Sequence, residues 1–330
     1  MIVIGGSAGS GPVLKRLVAQ IPTDFAGSIF ISTHVPAAGP PIISGMIAAH
    51  SALPVSEAAD GQPVEPGRIY LAPPDRHLLL LGDTIRLGLG PRENMTRPAI
   101  DPLFRSAALA YGARVVAVVL SGMLNDGASG AAAVKARGGT VVVQHPVDAE
   151  VDQMPLATLE TTEVDYVSPA AELARTLEQI AASPAGEAPP ADDLLRLEVE
   201  IALGARLGSR HLLDLAEPSA LSCPECRGVL SEVRASHPLR YRCQIGHGFT
   251  AEVLAARIDE VEEAVRVAMR IMEERVTLVE RMARDARETG RLTVAELYET
   301  RAEEYRRYAG TLRQAALSSL RMGASRPQDI

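Results

Sequence analysis

The sequence contains no tryptophan, and aromatic residues make up only 3% of its 330 residues. A core built from it must consist mainly of aliphatic side chains, which the apolar fraction of 47% supplies. No apolar run reaches the roughly 18 residues that a membrane-spanning helix needs. Basic charge is not in excess: the net charge of −8 argues against a general nucleic-acid binder. The first residues lack the charged region of a signal peptide, so we expect a cytoplasmic protein without membrane insertion.

Cysteine is also scarce, because the chain has only three, an odd number that disfavours a disulfide framework. Cys223 and Cys226 form a C-x₂-C pair, and Cys243 and His247 form a C-x₃-H pair. These spacings are typical of tetrahedral zinc. A closed set of four protein ligands leaves no position for water, so the sequence predicts a structural zinc ion; reduced cysteines without metal are the alternative.

Apolar runs alternate with helical segments over residues 1–180. Continuous valine and isoleucine runs between helices are typical of parallel strands covered on both faces. The sequence therefore predicts an α/β fold with a doubly wound, mostly parallel sheet. Residues 55–90 are punctuated by proline and glycine, and there we expect a local antiparallel excursion that includes Ile69–Leu71.

The rest of the chain divides into four predicted segments. Residues 181–193 are rich in alanine and proline and indicate a linker. Residues 194–250 hold a short helix and the cysteine cluster, which together predict a small zinc-ribbon-like module. Over 251–322 apolar residues recur at spacings of three and four, which predicts an antiparallel helical hairpin. Residues 323–330 are expected to be a disordered tail.

A candidate nucleophile lies near the start of the chain. Gly5–Gly9 reads Gly-Gly-Ser-Ala-Gly, follows a predicted strand and precedes a predicted helix. This is the context of a G-x-S-x-G nucleophile elbow, in which Ser7 would project above the strand end. A glycine-rich phosphate loop and a plain tight turn are the other interpretations.

Two further residues follow other predicted strands. A serine needs a base to take its proton and a third group to orient that base. His34 and Asp126 are of the required types and lie after strands whose carboxyl ends meet at one edge of a parallel sheet. Taken singly, His34 could be a satisfied loop histidine and Asp126 a helix cap. The order Ser, His, Asp differs from that of the α/β-hydrolases.

The first 180 residues contain several further motifs, namely Ile4–Ser7, His34–Pro36, Leu71–Pro73 with His77, Arg97–Asp101 with Leu103 and Phe104, Ser121–Met123, Asn125–Ala128, Gln144 and Met154 with Pro155. Together these motifs resemble the catalytic domain of chemotaxis protein-glutamate methylesterases, the CheB family. The segment around Asp126 is the most specific of them.

The resemblance implies hydrolysis of γ-glutamyl methyl esters on receptor helices, with release of methanol, and in some members deamidation of glutamine. It implies Ser7 as nucleophile, His34 as general base and acid, and Asp126 as orienting carboxylate. The backbone amide of Met123 would help to form the oxyanion hole. No cofactor is implied for catalysis, and the substrate would be a methylated helical receptor protein.

The sequence departs from the family pattern in four places. Ala8 stands where the family usually has threonine, Ser10 replaces a glycine, and Ser121–Leu124 replaces Thr-Gly-Met-Gly. Met1 lies just before Ser7, so no preceding receiver domain is expected. These departures leave a second hypothesis open, a weak or inactive signalling scaffold that binds a partner protein through its C-terminal zinc and helical segments. A nucleotide-binding fold without hydrolase activity is a third.

Overall fold

The computed structural model of the chain describes residues 1–35, 42–205, 216–234, 236–256 and 259–324. They belong to two compact units, Met1–Val253 and Leu254–Ile330. Pro36 of the histidine motif lies outside the described residues.

The strands up to residue 168 are β1 Ile2–Gly6, β2 Ile29–Thr33, β3 Val55–Glu57, β4 Ile69–Leu71, β5 His77–Leu81, β6 Thr84–Gly88, β7 Val116–Val119, β8 Thr140–Gln144 and β9 Tyr166–Ser168. Seven of them form a sheet at the centre of the first unit, in the order β3-β4-β2-β1-β7-β8-β9. Every neighbouring pair in this sheet is parallel, as the sequence predicts. Strands β5 and β6 form a separate antiparallel hairpin.

Helices cover both faces of this sheet. They are α1 Ser10–Gln20, α2 Ile42–Ala48, α3 Ile100–Tyr111, α4 Ala128–Ala136, α5 Gln153–Thr161 and α6 Leu173–Ala181. Because successive side chains of a strand point to opposite faces, Ile2 and Ile4 lie in one apolar cluster and Val3 lies in the other. Helices α1, α2 and α6 contribute to the first cluster, whereas α3, α4, α5 and the β5–β6 hairpin contribute to the second.

One prediction about the sheet is wrong. Ile69–Leu71, which we assigned to the antiparallel excursion, is β4 and pairs in parallel with both β2 and β3. The strand has only three residues and all of them are buried, so its sequence shows no alternation that could distinguish the two arrangements. The antiparallel hairpin is confined to β5 and β6.

The strand order changes direction at β1, because β2 lies on one side of it and β7 on the other. In open α/β sheets, ligands bind outside the carboxyl ends of the strands at such a switch point. The segments that leave β1, β2 and β7 carry Ser7, His34 and Asp126.

The first unit continues past the predicted linker into a helix and a small second sheet. Helix α7 is capped by the Asp192 side chain, which accepts a 2.7 Å hydrogen bond from the Leu195 amide, and it packs on α3 and on the β5–β6 hairpin. The small sheet is antiparallel, in the order β10-β11-β12-β13. The elements are α7 Asp193–Leu203, β10 Ala216–Ser222, β11 Val229–Val233, β12 Arg240–Cys243, β13 Gly248–Thr250 and α8 Ala251–Ala255.

The second unit contains the predicted helical hairpin, with helix α9 at Asp259–Glu288 and helix α10 at Leu292–Ala324. Alanines fill much of the contact between the two helices, and three of them recur at steps of seven residues: Ala295, Ala302 and Ala309. Helix α10 extends two residues into the predicted tail, whose remainder lies outside the described residues. Among the described residues, no helix is both long and apolar enough to cross a membrane.

Candidate active site

The turn after β1 presents Ser7 at the sheet edge. Gly9 has φ 77°, in the left-handed region that favours glycine, and this lets the chain reverse into α1. The Ser7 amide donates a 2.9 Å hydrogen bond to the Ser121 carbonyl, and the Ser10 hydroxyl donates a 2.7 Å hydrogen bond to the Ser7 carbonyl. The nucleophile loop is therefore fixed to the segment that follows β7.

That segment lies very close to Ser7 because Gly122 has no side chain. A Cβ atom on Gly122 would lie 2.9 Å from the Ser7 Cβ and 2.0 Å from the Met154 sulfur. The Gly122 amide donates to the Val151 carbonyl at 3.0 Å, and the Leu124 amide donates to the Gln153 side chain at 2.8 Å. Met123 lies between these two anchored residues with its side chain half exposed.

The imidazole of His34 joins the serine to the aspartate. Its Nδ1 lies 3.0 Å from the Ser7 hydroxyl, and its Nε2 lies 2.7 Å from Asp126 Oδ2. The His34 side chain is 20% exposed and that of Asp126 is 2% exposed, so solvent reaches the base but not the carboxylate. The structure thus brings together all three residues that the sequence singled out, although His34 and Asp126 alone are 92 positions apart in the chain.

Asp126 accepts hydrogen bonds on both carboxylate oxygens. Oδ2 accepts from His34 and, at 2.7 Å, from the Ile100 amide, whereas Oδ1 accepts from the Asp101 amide at 3.2 Å and from the Asn94 side chain at 3.1 Å. Burial alone would raise the pKa of Asp126, but the hydrogen bond and charge of His34 and the other donors outweigh burial and hold the pKa below its ordinary value. Both amide donors belong to the first turn of α3, where the helix dipole also favours an anion.

A second carboxylate, that of Asp101, lies beside Asp126. In the sequence this residue ends the Arg97–Asp101 motif, and no separate role is predicted for it. Its Oδ1 accepts from the Gly127 and Gly130 amides at 3.1 and 2.7 Å. Burial and the neighbouring charge of Asp126 raise the pKa of Asp101 to about 7. Asp101 therefore holds the start of α4, and with it the segment that carries Asp126.

Sequence reasoning missed Asn94 altogether. Its side-chain nitrogen donates to Asp101 at 3.2 Å as well as to Asp126, so it bridges the two carboxylates. Asn94 and Met95 both have positive φ, 49° and 70°, which is strained for methionine. An Asn in a polar loop is too common to be noticed in a sequence, whereas consecutive strained residues beside a catalytic-type aspartate are a structural sign of a functional position.

The four predicted metal ligands also come together. The three cysteine sulfurs and the ring nitrogen of His247 all lie within 4.8 Å of one another. Cys226 Sγ is 3.6 Å from Cys243 Sγ, and His247 Nδ1 is 3.4 and 3.7 Å from the sulfurs of Cys243 and Cys223. A zinc tetrahedron with Zn–S distances of about 2.3 Å has edges of roughly 3.8 Å. The cluster could therefore hold a metal ion.

Comparison with known proteins places the first half of the chain in one family. Residues 2–177 match the family model described as CheB methylesterase. Two curated relatives are named protein-glutamate methylesterase/protein-glutamine glutaminase: one from Caulobacter vibrioides is 37% identical over 173 residues, which are 51% of this chain and 50% of the relative. The other, from Rhodospirillum rubrum, is 38% identical over 180 residues, which are 53% of this chain and 46% of the relative.

A solved structure agrees with this placement. The crystal structure of the Thermotoga maritima CheB methylesterase catalytic domain is 34% identical to the chain with a TM-score of 0.53, and the match covers 54% of this chain and 97% of that one. The predicted family and the predicted α/β fold are therefore confirmed. The chain spans about half the length of the two curated relatives, and the segment from α7 onward lies outside the matched family model.

Proposed function

Because this chain belongs to the CheB methylesterase family, we propose that it is a serine esterase that hydrolyses glutamate methyl esters on protein substrates. The main support for this proposal is the pair of hydrogen bonds that links Ser7 to His34 and His34 to the buried Asp126 at the switch point of the sheet. The alternative of an inactive scaffold is not favoured, since the relatives that match are named as methylesterases.

In the proposed first step, the Ser7 oxygen attacks the ester carbonyl while His34 Nδ1 takes the hydroxyl proton. Asp126 holds the ring by its Nε2 and stabilises the imidazolium that forms. His34 then returns the proton to the leaving methoxide, so methanol departs and a glutamyl–Ser7 ester remains. Because Nδ1 faces the serine here, the nitrogen bound to the carboxylate must be Nε2–H in the resting enzyme.

In the second step, a water molecule gives its proton to His34 and attacks the glutamyl–Ser7 ester, which releases the glutamate side chain and restores the serine. The amide of Met123 is proposed as a donor to the oxyanion in both steps, since its anchored neighbours fix the backbone beside Ser7. The same steps would deamidate glutamine, with ammonia as leaving group. The reaction needs no cofactor.

The substrate assignment has a direct test. Purified protein is incubated with receptor helices that carry glutamyl methyl esters, and released methanol is measured over time. We expect release by the natural chain and a loss of about 10⁶-fold in kcat for Ser7→Ala, because the nucleophile is removed. Equal release by both proteins would contradict the proposal. A cytoplasmic location, and a partner protein at the helical hairpin, remain predictions.

We also propose that Cys223, Cys226, Cys243 and His247 bind one structural zinc ion. The turns that carry them support this proposal: the Cys223 carbonyl accepts from the Arg227 amide at 2.8 Å, and the Cys243 carbonyl accepts from the Gly246 amide at 2.9 Å. Both turns contain a positive φ, 63° at Arg227 and 105° at Gly246, and they bring each ligand pair to the same point. The surrounding sheet is small, so metal binding would supply much of its folding free energy.

Metal analysis tests the zinc proposal. We expect about one zinc ion per chain, and we expect Cys223→Ser to lose most of it because a three-ligand set binds zinc far more weakly. Ser222→Ala, one position away with an exposed side chain, serves as the matched control and should keep the metal. Unchanged zinc content in Cys223→Ser would refute the assignment.

A further inference from the structure

The strand that follows the metal ligand His247 lies against the loop that holds the proposed catalytic aspartate. The Asn94 amide donates to the Gly248 carbonyl at 2.9 Å, and the Gly248 amide donates to the Arg92 carbonyl at 3.3 Å. Residues of the 92–94 loop and strand β13 therefore pair as neighbouring strands do, in a parallel bridge. This contact joins a segment outside the matched family model to one inside it.

The hydroxyl of Thr250, the last residue of β13, accepts a 3.3 Å hydrogen bond from the Val253 amide. Thr250 also makes two hydrogen bonds to asparagines beside Asp126. Its amide donates to Asn94 Oδ1 at 3.1 Å, and its hydroxyl donates to Asn125 Oδ1 at 2.7 Å. Thr250 is only 1% exposed, and both asparagines are buried as well. Water therefore cannot readily replace either hydrogen bond.

The two asparagines are the immediate neighbours of the carboxylate. Asn94 donates to Asp126 Oδ1 through its side-chain nitrogen, and Asn125 precedes Asp126 in the chain. The backbone amide of Thr250 donates to the side-chain oxygen of Asn94. This hydrogen bond holds the oxygen towards Thr250, so that the NH₂ group of Asn94 faces Asp126. A rotated Asn94 would direct its oxygen at the carboxylate and repel it.

On this geometry, and on the basis of the proposed esterase function, we infer that the Cys₃His module positions the catalytic carboxylate. Strand β13, anchored at His247, holds Asn94 and Asn125 through Thr250, and these two residues hold Asp126 in line with His34. Thr250, Asn94 and Asn125 are positioning residues, and none of them touches the reacting atoms. Loss of metal from the module would loosen β13 and thereby lower the kcat of the Ser7 site, although the metal takes no part in the proposed reaction.

The full-length chain carrying Thr250→Val tests this inference, with a p-nitrophenyl ester as substrate. Valine keeps the shape and the backbone amide but removes the hydroxyl, which takes a hydrogen-bond partner from the buried Asn125 oxygen and from the Val253 amide. We expect kcat to fall about tenfold with KM little changed. Thr250→Ser restores the hydroxyl and should return most of the activity. Ser219→Ala removes a hydroxyl from β10 of the same module, where it donates to the Leu230 carbonyl at 2.8 Å, and should have no effect.

A second variant keeps the test decisive if Thr250→Val folds poorly. Asn125→Ala removes the Thr250–Asn125 hydrogen bond from its other end and leaves the Val253 contact in place. It should lower kcat similarly, and the double variant should lower kcat no further than Thr250→Val alone. Zinc content and the melting temperature identify which variants are folded. Unchanged kcat in a folded, zinc-loaded Thr250→Val, or equal loss in Thr250→Ser, would overturn the inference.

A spectroscopic readout separates failure of this inference from failure of the esterase proposal. The proton on His34 Nε2 that bonds Asp126 should give a downfield proton resonance whether or not the chain turns over an ester. We expect this resonance in the natural chain, in Thr250→Ser and in Ser219→Ala, and its loss or broadening in Thr250→Val and after chelation of the metal. An unaltered resonance in Thr250→Val contradicts the positioning role, whereas an inactive natural chain contradicts only the esterase.

Discussion

Replacing Asp126 with asparagine should lower the kcat for ester hydrolysis about 10⁴-fold and leave KM nearly unchanged, because a side chain that is only 2% exposed is out of reach of a bound substrate. The described groups that hydrogen-bond to the carboxylate are all donors: His34, two backbone amides and the Asn94 side chain. An asparagine would place its NH₂ group against the two donors of one carboxylate oxygen, where donor would face donor and no hydrogen bond could form. It would therefore lose hydrogen bonds and favour the histidine tautomer that cannot take the serine proton.

Steady-state kinetics with a simple ester measures this effect. Asp165→Asn is a matched control, since Asp165 also accepts from a backbone amide, that of Val141 at 2.8 Å, but it does so next to β8 and without a contact to His34. The control should keep kcat within about twofold. Comparable rates for Asp126→Asn and the natural chain would exclude Asp126 from the catalytic machinery.

A second large effect is expected at the buried Glu93, where Glu93→Gln should lower the free energy of unfolding of the first unit by about 3–5 kcal/mol. Glu93 forms ion pairs with Arg105 of α3 and with Arg242 of β12, the latter at 3.3 Å. Glu198 of α7 belongs to the same cluster, at 3.4 Å from Arg105 and 3.3 Å from Arg242. Glu198 also pairs with Arg240 of β12 at 2.6 Å. Removing one carboxylate leaves two buried guanidinium groups short of negative charge.

The pH dependence of stability provides a separate check on the same residue. Burial would raise the pKa of Glu93, but Arg105 and Arg242 outweigh it and lower the pKa from 4.5 to about 2. A lowered carboxyl pKa contributes stability that is present above the unfolded value and is lost as the pH falls. The difference between the natural chain and Glu93→Gln should therefore shrink as the pH is lowered from 4.5 towards 2.

Urea unfolding of both proteins at several pH values measures this difference. Glu217→Gln is the matched control, because Glu217 pairs with Arg234 on the exposed surface of β10 at 3.3 Å. Exposed ion pairs contribute little to the free energy of unfolding, so the control should unfold at nearly the same urea concentration as the natural chain. A Glu93→Gln protein as stable as the control would show that the buried cluster does not stabilise the fold.

The sequence predicts those site residues whose placement follows from short stretches of chain and from the order of the strands. Ser7, His34 and Asp126 each follow a strand of a parallel sheet, and such strands end at one edge, so their meeting could be inferred from chain positions alone. The ligand spacings of the cysteine cluster are likewise local. In both cases short-range patterns determine the arrangement once the fold class is known.

The residues that were missed depend on contacts between distant segments. Thr250 donates to Asn94 across 156 positions of the chain, and neither residue belongs to a motif. The sequence predicts a short helix where α7 lies, but it does not show that this helix packs on α3 and brings Glu198 into a charged cluster. Short buried strands such as β4 are similarly ambiguous, because three apolar residues fit either pairing direction.

Covalent labelling can establish whether His34 and Asp126 make Ser7 a nucleophile. The full chain is treated with a fluorophosphonate, and the modified peptide is identified by mass spectrometry. We expect a single adduct on Ser7, formed much more slowly in Asp126→Asn and absent in Ser7→Ala. No adduct on Ser7 in the natural chain, or equally fast labelling in Asp126→Asn, would contradict the claim.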